Sequence, residues 1–227
     1  MTKKKKKDYT LINGMSIDKM VQIIKKVICI GSNCIGADLM HSVGLRIVSP
    51  VDNISKFNIW KSPLLFSGRI KRALFSEDYD VRPSTQFEKD EYLYFDKVFT
   101  FNHNFSIVHN NFENCTFRKS LKERIKVFQS YYKISLKDSS CWYIYSLDYE
   151  DSMIDEILMQ QIVLTIPKIC QERLLCLGIR GKNMLFEKYF KYYIELNEND
   201  YIWSNYAQAK SIIQLFEDKY NLHFECL

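Results

Sequence analysis

The stretch "VICIGSNCIGADLM", residues 27–40, decides the reading of the fold. The apolar run Val27 to Ile30 stops at Gly31. Ser32 and Asn33 follow, then Cys34 and an apolar helical pattern to about residue 43, with Gly44 placed to end it. A strand apolar on both faces belongs to a parallel sheet that is covered on both sides. In such sheets the ligand sites lie at the carboxyl ends of the strands. Cys34 is therefore either a nucleophile presented at a helix N-terminus or a small buried residue between strand and helix.

Working outward, "LRIVS" at 45–49 reads as a second strand and "SPVDN" at 49–53 as a turn. Residues 53–75 look helical with a break at Pro63, and 76–91 look polar and irregular. "EYLYFDKVFTF" at 91–101 predicts a strand or hairpin. An amphipathic helix over 117–133 carries Leu121, Ile125 and Phe128 on one face. Buried strands are expected at 141–148, 173–181 and 191–196, helices at 152–166 and 203–220, and a final edge strand in "HFECL". Upstream, Ser16 is placed to cap a helix "IDKMVQIIKK", and residues 1–15 read as a disordered lysine-rich tail. Strands alternating with helices predict an α/β fold, a three-layer sandwich with a mainly parallel central sheet, in one domain over 16–227.

Composition narrows the class. The chain has 227 residues, 47% hydrophobic and 15% aromatic, with only 7 glycines and 4 prolines, so a large core is expected and long linkers are not. The net charge of +5 is supplied by "KKKKK" at 3–7, which reads as a solvated tail or as a peripheral contact with an anionic membrane. No basic stripe with interleaved aromatics speaks for nucleic acid. No run approaches the roughly 18–20 apolar residues of a membrane span, and no apolar segment follows the N-terminal charge as in a secretory signal. Seven cysteines without a CxxC pair or zinc spacing predict a reducing, cytoplasmic setting, with no metal and no cofactor.

The chemistry centres on Cys34. The first turn of a helix favours a thiolate, and the backbone N–H groups of Cys34 and Ile35, with Ser32 and the Asn33 amide, are candidates for binding an oxyanion or substrate. His41 lies seven residues along the same helix and is too far away to serve as base. His103, after an aromatic strand, is the leading base, with His109 as second choice. Asp52 is the first candidate to orient the imidazole and Asp148 the second. Arg118 and Arg124, six residues apart in one helix, are candidates for an anionic substrate group.

"ICIGSNCIGADLMHSVGLRIVSPVDNI", "FTFNHNFS" and "FRKSLKERIKVF" together resemble a bacterial family of papain-like cysteine peptidases of unknown function. The resemblance covers roughly residues 27–148 and implies functional roles for Gly31, Asn33, Cys34, Pro50, Asp52, His103, Arg118 and Arg124. The chain departs from the family motif at Val51, Asn53 and Asn104. The family's association with surface-polysaccharide loci implies a glycan or peptide substrate. The strand pattern is not that of papain, which places its cysteine on a long helix beside a separate antiparallel domain. Three readings follow. The first is a Cys-dependent hydrolase or acyltransferase. The second is a glycan- or nucleotide-sugar-binding transferase without covalent catalysis, holding phosphate or carboxylate on the loops at 31–34 and 148–151. The third is a non-catalytic interaction module.

Overall fold

The computed structural model describes residues 21–31, 34–179, 182–196 and 205–226. Five parallel strands form the central sheet: β2 (Lys26–Cys29), β3 (Arg46–Ile47), β7 (Cys141–Leu147), β8 (Leu174–Gly178) and β9 (Tyr192–Glu195), in the order β3-β2-β7-β8-β9. Every residue of β7 and β8 is buried, which suits strands covered on both faces. A second, antiparallel sheet contains β4 (Tyr79–Pro83), β5 (Lys97–Phe101) and β6 (Phe105–Ile107). Short β1 (Gln22–Ile24) pairs in parallel with C-terminal β10 (Leu222–Phe224).

The helices are α1 (Ile35–Ser42), α2 (Pro63–Phe66), α3 (Ile70–Phe75), α4 (Gln86–Tyr92), α5 (Cys115–Ser135), α6 (Glu156–Thr165), α7 (Lys168–Glu172), α8 (Met184–Tyr189) and α9 (Tyr206–Tyr220). Helix α1 contacts β2, β3, β7 and α9, while α5 contacts β7, α2 and α3. The mixed α/β class and the mainly parallel sheet are thus as expected from the sequence. One contiguous core joins the central sheet to the second one, running from Ile24 through Phe99 and Phe105 to Phe224.

Several local expectations are corrected. The helix expected over residues 17–26, capped by Ser16, is extended where it is described: Gln22–Ile24 is a strand held by parallel pairing with Leu222–Phe224. Residues 1–20, with the lysine run and Ser16, lie outside the described residues. The polar segment 76–91 contains β4 and most of α4; Thr85 and Glu88 form a capping box that the reading missed. Only Arg46–Ile47 of "LRIVS" pairs as a strand, and "PVDN" is a 3-10 turn capped by Ser49. Pro63 starts a helix rather than breaking one. The hairpin at 97–107 turns at residues 102–104, with Asn104 at φ 56°.

The topology sets the site. From β2 the chain goes through α1 to β3 on one side; later it runs β7, β8, β9 on the other. The order reverses between β2 and β7, and this is where a crevice forms at the carboxyl ends. Residues 57–62 fill it. The Phe57 carbonyl presses on Gly31, which has φ +126°; a Cβ there would lie 2.1 Å from the Phe57 oxygen. The Ile59 N–H donates to Tyr145 Oη of β7 at 2.9 Å. Gly36, on α1, has only ordinary contacts at 3.4 Å from Ile144. Gly31→Ala is therefore expected to destabilise by about 3 kcal/mol or more, from backbone strain and collision together, whereas Gly36→Ala changes stability by no more than about 1 kcal/mol. Thermal melts of the two variants check this, and equal melting points would contradict it.

Candidate active site

Cys34 stands at the N-cap of α1, half-buried, with helical φ and ψ of −74° and −9°. Its carbonyl accepts the first helical bond, from Asp38 N–H at 2.8 Å. Serine 146 on β7 takes the Gly36 N–H at 3.3 Å, so one first-turn donor is already used. Ile35 has a buried side chain. Ser32 and Asn33 lie outside the described residues.

Below Cys34, β2 ends in Cys29, whose thiol is pushed up by burial and then by the Asp52 charge, with weaker effects from Cys34 and Arg46. These groups therefore share one electrostatic neighbourhood at the carboxyl end of β2. The Asp52 side chain is only 2% exposed. Its Oδ2 accepts from Arg46 Nη2 at 2.8 Å and from Ser49 N–H at 2.9 Å. Among the described residues, the buried Asp52 Oδ1 and Arg46 Nε have no hydrogen-bond partner. Burial lifts the Asp52 carboxyl, and Arg46 and Arg124 oppose that rise. Burial pulls half-buried Arg124 down against the attraction of Asp52. Burial also works against the Arg46 charge, but the Asp52 pairing more than offsets it. Asp38 is likewise lifted by burial, with Arg46 opposing.

The sequence candidates separate. Asp52 and Arg124 act on each other through space, and Cys34 and Asp52 both act on Cys29 at the end of β2. His103 does not accept orientation from Asp52: it sits at the tip of the β5–β6 hairpin, 3.5 Å from Glu77 and stacked on Phe105. Arg118 lies over Phe112 and Phe75 at 5.0 and 5.6 Å, because six residues of helix turn it to a different face from Arg124. His109 lines a separate small cleft and contacts Leu93 O at 3.2 Å through Nδ1. Asp148 caps the 3-10 turn at 149–153, accepting Tyr149 N–H.

Two groups were missed. Arg46 lies in a two-residue strand, and its only sequence signal is a lone cation six residues before Asp52. The other is a buried polar knot beside the crevice. Asp151, fully buried, accepts Tyr145 Oη–H at 2.7 and 2.8 Å and Asp148 N–H at 2.7 Å. Burial is the main reason its carboxyl is pushed up to about 7. Lys61, mainly through burial, falls to about 8; its Nζ donates to Asn104 O at 2.6 Å and Asn58 Oδ1 at 3.1 Å. The signal for this knot was the D-x-x-D capping box at 148–151.

Asp151 generates a pH prediction. A carboxyl with a folded pKa raised from 3.8 to about 7 binds more protons folded than unfolded in that window. Stability from this group is therefore greatest at low pH and declines as pH rises through the window. Denaturant titrations are expected to show the wild type losing stability relative to Asp151→Asn across that range. A pH-independent difference between the two would contradict it.

Among the described residues, no three His, Cys, Asp or Glu side chains converge as metal ligands, and no helix is long and apolar enough to cross a membrane. Compared with family models, curated proteins and solved structures, the chain matches none.

Proposed function

We propose that the protein is a Cys-dependent hydrolase or acyltransferase, of the kind its resemblance to the papain-like cysteine peptidases implies, acting on an acyl substrate that carries an anionic group. One observation carries the reading. Cys34 heads a helix at the sheet's topological switch point, in the same neighbourhood as a buried Asp52–Arg46 pair with one acceptor and one donor unsatisfied. Buried polar atoms are nearly always paired, so such atoms beside a nucleophile mark a place where a substrate completes the bonding.

In this mechanism the α1 N-terminus and the neighbouring guanidinium groups favour the Cys34 thiolate. The sulfur attacks the acyl carbon, and the tetrahedral intermediate collapses to a thioester. Asp52, an anion beside Arg46, takes up the proton that Cys34 gives up and passes it to the departing alkoxide or amine. Water or an acceptor hydroxyl then attacks the thioester, returns the proton to Asp52 and releases the thiolate. Arg124 holds the substrate's negative group, and Arg46 keeps Asp52 in place. His103, bound to Glu77, has no step.

The three-layer arrangement belongs to the same proposal and is supported by α1 touching both β7 and α9 while α5 touches β7, α2 and α3. A cytoplasmic location is supported by the seven free cysteines.

Incubation with a p-nitrophenyl ester bearing a terminal carboxylate, followed by peptide mapping, tests the reading. The acyl group is expected on Cys34, absent in Cys34→Ser, and formed about tenfold more slowly in Arg124→Gln, the loss of one charge-assisted contact. His103→Ala is expected to react as the wild type does. Acylation of exposed Cys115 instead, or of no cysteine, would contradict the proposal. Undiminished acylation in Arg124→Gln would remove the anionic group from it.

A further inference from the structure

A cleft of about 850 Å³ opens at the amino ends of the central strands, the opposite end of the sheet from Cys34. Its charge follows from the topology. Lys25, Arg173 and Lys191 each immediately precede a parallel strand, β2, β8 and β9 respectively, so the sheet brings three cations to one edge. Lys168, at the start of α7, adds a fourth, and among the described residues Glu172 is the single carboxylate on the wall.

These cations are not used up by the fold. Lys25 meets Glu225 at 3.1 Å and Lys168 meets Glu172 at 3.8 Å, both exposed pairs of a kind that is weak and exchanges readily. Lys191 has no carboxylate partner among the described residues; its Nζ lies 4.9 Å over the Tyr192 ring. Arg173 is anchored through Nη1, which donates to Ser135 O at 3.0 Å and Asp138 O at 2.7 Å, so its charge is fixed at the cleft. Tyr189 supplies the accessible part of an aromatic wall backed by the buried Trp142 and Tyr192, whose rings are 4.9 Å apart.

We infer that this cleft binds a ligand carrying a diphosphate, with the phosphate oxygens on Lys25, Arg173 and Lys191. Among the described residues, four cations stand against Glu172 and the Lys25 partner Glu225, an excess of positive charge that calls for a ligand with several negative charges in a short span, which a diphosphate supplies and a single carboxylate does not. The volume falls in the range of small-molecule sites and leaves room for an organic group beside the phosphates. The lysine run at 3–7 has the same sign as the cleft, so it is no complement to it. The inference is independent of the Cys34 reading because it concerns the other end of the sheet.

Calorimetric titration of the full chain with ADP, pyrophosphate and adenosine tests it. ADP and pyrophosphate are expected to bind, more weakly as salt is raised, and adenosine is not. Lys25→Glu/Lys191→Glu is expected to weaken ADP binding by about tenfold or more, and Cys34→Ser to leave it unchanged. Both lysines are exposed, so thermal melts of the variant are expected to match the wild type. Tighter binding of ADP than of pyrophosphate assigns the aromatic wall a share of the affinity; equal binding makes the diphosphate the whole recognised group. Either result bears the site out. Absence of binding at millimolar ligand, binding indifferent to the two charge reversals, or binding lost in Arg124→Gln would overturn it.

Discussion

The contact of the Phe57 carbonyl with Gly31 is the constraint on which the rest of the structure depends. A parallel sheet whose strand order reverses leaves a crevice at the carboxyl ends. Here the chain closes part of that crevice with its own backbone. The approach is possible only because residue 31 has no Cβ and takes a positive φ. Once the segment is seated, Ile59 N–H meets Tyr145 and Lys61 reaches Asn104 at the hairpin tip. Ser55 also exchanges backbone bonds with Ser106 of β6, at 2.7 and 3.0 Å. The second sheet is thereby tied to the first at the switch point. The crevice divides into a filled half, floored by Tyr145 and Asp151, and a half at the head of α1 that keeps Cys34 partly exposed.

The two halves handle buried charge differently. On the filled side, Asp151 faces a tyrosine hydroxyl and a backbone amide and, among the described residues, no cation within hydrogen-bonding reach; burial is the main influence on its titration. On the Cys34 side, Asp52 is equally enclosed but meets Arg46 directly and Arg124 through space. Its second oxygen remains unsatisfied. A buried ion pair adds little net stability once its desolvation is counted.

Much of the fold was legible because its strongest signals were local and periodic. The unbroken apolar runs at 141–147 and 174–178 can be little other than strands covered on both faces, and α5 shows its apolar face at regular spacing. Short elements were less legible. β1 and β3 have three and two residues, and tertiary pairing rather than propensity makes them strands. α4 buries none of its residues, so no apolar stripe announces it; only its capping box does. At the site, Cys34 and Asp52 could be read because both follow strands at the carboxyl end of the sheet. The Glu77 contact of His103 could not be read, since the hairpin carrying His103 belongs to the second sheet and nothing in its local sequence points to Glu77. Arg46 was hidden for a related reason: a cation in a short edge strand resembles a solvated residue until Asp52 folds back onto it.

Whether the Arg46–Asp52 pair governs the Cys34 thiol is the question on which the functional reading turns. The most direct measurement is the iodoacetamide alkylation rate of Cys34 in the wild type, Arg46→Met, Asp52→Asn and the double variant, with buried Cys141 followed as a folding control. If the pair sets the local field, loss of the cation slows Cys34 labelling, loss of the anion speeds it, and the double variant returns close to the wild-type rate, with Cys141 unlabelled throughout. A Cys34 rate unchanged in all three variants, with Cys141 still protected, would contradict it and leave Cys34 a structural residue at the head of α1.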